Sequence, residues 1–141
     1  MPQKLKTALL IVLPALITFP LGRIIWPDPV NSMMHPTSAQ LPFFIILSAA
    51  ESLAFGVGIW FLVEGKKVLA SLGQSRLALW AYLAIAWTLV SWWPHDNLHR
   101  INGENMQGLL YIEYGFHLTL MISSTIIALF FLQVHKNRQT N

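Results

Sequence analysis

Four long apolar runs separated by short polar stretches organise the chain. The first extends from Leu5 to about Trp26 and ends at Trp26 and the sequence Pro27-Asp28-Pro29. Pro14 and Pro20 lie inside it, so the pattern predicts a kinked helix whose freed carbonyls find partners on neighbouring helices. The second, Leu41 to Val63, opens with Pro42 in its first turn and closes at Glu64-Gly65-Lys66-Lys67. Its one charge is Glu51. The third, Leu77 to Trp93, lies between Arg76 and Pro94 and ends in a Trp92-Trp93 pair suited to a headgroup boundary. The fourth runs from about Gly108 to Val134 and contains Glu113 and His117. Each run approaches the roughly 30 Å of a bilayer core at about 1.5 Å per helical residue.

The expected fold is therefore all-α: an integral membrane four-helix bundle, antiparallel and up-down, formed as one domain over residues 1–141. Lys4, Lys6, Lys66, Lys67, Arg76, Lys136 and Arg138 belong to one side of such a bundle, and only Arg23 and Arg100 to the other. The positive-inside rule then places both termini in the cytoplasm (N-in, C-in), and the connections 26–40 and 94–107 outside. The expected location is the plasma membrane, the inner membrane if the cell is bacterial. Lys4 and Lys6 before an apolar run resemble the start of a secretory signal, but no small-x-small cleavage site precedes Gly22-Arg23, and the run is read as an uncleaved helix.

Composition supports lipid as the main solvent. Hydrophobic residues make up 55% of the chain and charged residues 11%, where a soluble domain has about a quarter charged. The pI near 9.5 comes from cations scattered at the ends of apolar runs. They form no basic stripe, so a nucleic-acid partner is not expected. The chain has no cysteine, which removes disulfides, thiolate ligands, iron–sulfur clusters and cysteine nucleophiles. No Gly-rich nucleotide loop and no lipidation motif is present. Ser48, Ser52 and Gly56 recur every fourth residue, a small-residue stripe on which another helix can pack closely.

Candidate chemistry rests on ionisable groups within or beside the spans. A charge inside a span costs at least about 2.5–3.5 kcal/mol on insertion scales, so Glu51, Glu113 and His117 should face protein or water and have partners. Glu113 and His117 are four residues apart and share a helix face, which Ser124 continues. Pro94 disfavours a continuous helix yet suits the first turn of a new one, in which His95 and His99 would share a face. A short connection brings that turn over the helix carrying Glu113 and His117.

This places His95, His99, Glu113 and His117 together as a candidate metal site, with Glu51 opposite as an additional ligand or catalytic base. Imidazole and carboxylate donors suit a divalent transition metal such as Zn, Fe, Mn or Cu. Asp96 is expected to orient an imidazole or to cap the short helix. His35 is read as an exposed loop residue, with copper capture beside Met33 and Met34 as the lesser alternative; Glu104 lies in the other outward connection, and Glu64 and His135 are solvated end residues without a role.

The first functional expectation is thus a small membrane metalloprotein, with a lipid or small apolar molecule as the expected class of substrate. The alternative is a proton- or cation-handling or structural subunit, as a homo-oligomer or within a larger membrane complex. In its structural form, Glu51 would simply bond His117. A haem between two histidines is a further alternative, one that leaves Glu51 and Glu113 without a task.

Overall fold

The computed structural model describes residues 1–27, 36–71, 76–102 and 105–139. All its regular structure is helical: α1 (Gln3–Ile25), α2 (Leu41–Ser71), α3 (Arg76–Val90), α4 (Trp92–Asn102), α5 (Met106–Ile112), a π-helical segment (Glu113–Leu118) and α6 (Thr119–Gln139). Among the described residues, three helices are long and apolar enough to cross a membrane, and a fourth span arises if α3 and α4 count as one, bent by 42°. The chain is a helical, multi-pass membrane protein.

Large apolar side chains on α1, α2 and α6, among them Leu16, Ile46 and Leu132, are turned outward. In water such a surface would be an aggregation hazard, whereas against acyl chains it costs nothing.

Packing is serial: α1 lies on α2, α2 on α3 and α3 on α6, while α4 touches α1, α2, α3 and α5. Small residues set the first contact. A Cβ at Gly56 would strike the carbonyl oxygen of Ile11, so glycine is what allows α1 to come so near. Ser52, on the same stripe, is buried.

At the end of the bundle away from α4, Leu69, Ala78, Ala81 and Phe130 form the core, with Phe61, Tyr82 and Ile126 around them. Lys6 bridges to Glu64 at 2.6 Å and ties α1 to α2 at this end.

The ends of the second and third runs differ from the sequence reading. Helix α2 continues to Ser71 instead of closing after Val63. Gly65 does not end it, because the added turns bury Leu69 against Phe130 and place Lys67 3.2 Å from Glu64. Helix α1 contains Pro14 and Pro20, as the sequence reading had it. The third apolar run stops at Val90, and α4 starts at Trp92 with Pro94 in its first turn, where a missing N–H is harmless. The connection carrying His35, and Glu104, lie outside the described residues.

Candidate functional site

Helix α4 has two polar faces. His95 and His99 are one turn apart, and their ring centroids lie 4.5 Å from each other. Asp96, Asn97 and Arg100 follow at about 100° per residue and therefore point to a different side.

The histidine face meets the π-helical segment. Winding with i→i+5 bonds brings residues four apart almost over one another, and Oε2 of Glu113 contacts Nδ1 of His117. The other oxygen of Glu113 is 3.3 Å from Nε2 of His99. One carboxylate thus takes an imidazole on each oxygen. His95 completes the group, its ring centroid 4.8 Å from that of His117.

Aromatic contacts hold this arrangement. Phe116 stacks on Trp87 at 5.8 Å with rings 5° from parallel, and its other neighbour is His95 at 5.5 Å. The indole of Trp87 donates to the hydroxyl of Thr119 at 2.9 Å, which fixes the π segment against α3. Trp92 packs edge-on to His95. Enclosed in this way, Nε2 of His95 is buried without a hydrogen-bond partner. Such an orphan costs about 1–3 kcal/mol unless something satisfies it. The side chains of His99, Glu113 and His117 remain 33%, 42% and 44% exposed, so the group is open to its surroundings on one side.

The second face of α4 looks towards α1 and α2. Arg100 and Asp96 pair at 2.6 Å, and Glu51 is an electrostatic neighbour of both. Glu51 is buried and lines a cavity of about 380 Å³ bounded by α1, α2 and α4. Nearby, Trp93 donates to the carbonyl of Thr18 at 3.1 Å, and buried Asn97 donates to the carbonyl of Trp93 at 2.6 Å.

The sequence-derived constellation therefore divides. His95, His99, Glu113 and His117 come together, whereas Glu51 joins Asp96 and Arg100 on the other side of α4. Asp96 neither orients an imidazole nor caps α4, since Arg100 takes it as an ion-pair partner. Ser124 turns back to bond the carbonyl of Leu120 at 2.9 Å. His135 contacts Gln139 at the far end of α6.

Among the described residues, no three or more histidine, cysteine, aspartate or glutamate side chains are grouped so as to hold a metal ion. The physical reason is local: Glu113 spends both oxygens on His99 and His117, so the lone pairs a metal would need face the carboxylate instead of a common point. The donor set suits a transition metal, but its arrangement is that of a carboxylate in close contact with two imidazoles. Sequence reasoning missed Arg100 as a partner and the cavity beside Glu51. The i,i+4 spacing of Asp96 and Arg100 was the available signal.

No protein-family model, no curated protein and no solved structure matches the chain.

Proposed function

We propose that this protein handles protons at the α4 end of its bundle, through the network of His95, His99, Glu113 and His117, as a subunit of a homo-oligomer or a larger membrane complex. The observation that carries the reading is the carboxylate of Glu113 shared between two imidazoles of different helices.

A proton arriving on the outer nitrogen of His99 releases the one on Nε2 to Oε1 of Glu113. Rotation of the protonated carboxyl then carries that proton to the bare Nδ1 of neutral His117, whose Nε2 proton is released to the surroundings. Each group ends with as many protons as it began with. The partial exposure of all three side chains lets protons enter and leave. Four serially packed helices enclose no pathway of their own, which is why the reading includes further subunits. With the cations at the opposite end, the positive-inside rule puts the network on the extracytoplasmic side of the plasma membrane.

The test is reconstitution into vesicles loaded with a pH-sensitive dye, with an inward potential set by a potassium gradient and valinomycin. Proton entry above that of protein-free vesicles, reduced in Glu113→Gln and His99→Gln, is the expected result. Entry equal to that of empty vesicles overturns the reading.

A second reading has one specific observation in its favour. The buried, partnerless Nε2 of His95 lies beside two further imidazoles, and rotation of Glu113 would turn those donors towards a divalent transition metal such as Zn, Fe, Mn or Cu. The metal would supply Lewis acidity for a reaction on a lipid or small apolar substrate. Elemental analysis of untagged, detergent-purified protein decides between the two. About one metal per chain, lost in His95→Ala, would replace the proton reading.

A further inference from the structure

The cavity on the second face of α4 takes no part in the imidazole network. It opens between the ends of α1 and α2, which the network does not touch, and its wall is divided by chemistry. Arg23, in the last turn of α1, and Arg100, in α4, line it, as do Phe19, Phe44 and Ile45 from the adjoining stretches of α1 and α2. Arg100 uses one of its five N–H groups on Asp96, which leaves donors directed elsewhere. Glu51 also lines the cavity, so its wall carries one carboxyl beside the two guanidiniums.

Two guanidiniums next to an aromatic and aliphatic wall match a molecule with an acceptor-rich anionic head and an apolar body. Guanidinium forks pair with phosphate and carboxylate oxygens through two parallel bonds. The volume, about 380 Å³, is that of a small-ligand site and accommodates a headgroup with the start of its chain. Phe44 and Ile45 are themselves exposed on the lipid-facing surface, so the rest of the chain can continue along α2 without crossing a polar barrier. Arg23 and Arg100 are also the only two of the nine Lys and Arg residues in the sequence that the charge pattern assigns to this end.

We infer that this cavity binds one anionic amphiphile, a phosphate- or carboxylate-headed lipid, with its head between Arg23 and Arg100 and its tail against Phe19, Phe44 and Ile45. The site differs from the proton network and stands whether or not that network moves protons.

Native mass spectrometry of the full chain in mild detergent, with equimolar phosphatidylglycerol, phosphatidylcholine and oleate, provides the test. One anionic lipid retained per chain is the expected result, with phosphatidylglycerol or oleate in excess according to whether phosphate or carboxylate is preferred. Phosphatidylcholine should be retained about tenfold less, the ratio that a charge-assisted hydrogen bond of roughly 1.5 kcal/mol gives.

Arg23→Gln should erase the preference and Arg23→Lys should keep most of it. Ser48→Trp, which fills the cavity from α2 without changing charge, should abolish retention of all three. Equal retention of the three lipids by the unaltered protein would overturn the inference. So would a preference that survives both Arg23→Gln and Ser48→Trp in variants with unchanged helical circular dichroism.

Discussion

Glu113 and His99 meet 3.3 Å apart, Oε1 to Nε2, and so join the π segment to α4. Both side chains are partly exposed, at 42% and 33%, which limits what the contact adds to stability. A double-mutant cycle with Glu113→Ala and His99→Ala should give a coupling of about 0.2–1 kcal/mol, the range of pairs open to solvent. Unfolding in mixed micelles measures it. A coupling of zero would mean that the pair is not maintained, and one of several kcal/mol would mean a desolvated network unlike the one described.

Trp93 fastens α4 to α1 through its indole N–H and the carbonyl of Thr18, and its ring packs 5.3 Å from Trp26 and 5.2 Å from Phe55. Trp93→Phe removes the hydrogen bond and keeps most of the packing. It should cost about 0.5–1.5 kcal/mol, and Trp93→Ala clearly more, because the ring contacts go as well. Thermal melts of the two variants check the order. A Phe variant as stable as the parent would show that the bond to Thr18 contributes nothing.

Two glycines should respond in opposite ways to alanine. A Cβ at Gly22 would lie 2.5 Å from Oδ1 of Asn97, whose side chain is buried and held by its bond to the carbonyl of Trp93. Gly22→Ala should destabilise by about 1–3 kcal/mol, as overpacking does. A Cβ at Gly115 meets nothing within 4 Å. Gly115→Ala should be neutral or stabilise by about 0.4–1 kcal/mol through the lower entropy of the unfolded chain. If both variants melt alike, the close approach of α1 and α4 at Asn97 is not what limits Gly22.

How far the sequence foretold this can be traced residue by residue. The helices were legible because apolar runs of span length have few alternatives, and a new short helix holding His95 and His99 because proline suits a first turn, although the break falls at Ser91, ahead of Pro94. The grouping of His95 with His99 and of Glu113 with His117 followed from i,i+4 spacing. The side of α4 that faces Glu51 was not legible. Depth along a helix can be counted from the sequence, but rotation about its axis depends on packing, here on Gly22 against Asn97 and Trp93 against Thr18. The π winding of Glu113–Leu118 was also hidden, since no residue pattern marks a single turn of i→i+5 bonding. The far end of α2 was misjudged because Gly65 and the charges beside it resemble a stop signal, and only the burial of Leu69 outweighs them.

The orientation of the chain can be tested through its basic residues. The contact of Lys6 with Glu64 and the packing of Leu77 and Val134 around Leu69 bring the start of α1, the end of α2, the start of α3 and the end of α6 to one end of the protein. Seven of the nine Lys and Arg residues belong to those segments: Lys4, Lys6, Lys66, Lys67, Arg76, Lys136 and Arg138. Each cationic residue near a span end resists translocation, so this end should stay in the cytoplasm. A fluorescent protein that matures only in the cytoplasm should therefore be bright when fused after Asn141. A phosphatase that folds only outside should be inactive at the same position and active when fused after Asn102. Reversed activities would place the imidazole network on the cytoplasmic face, where protons would enter it from the opposite compartment.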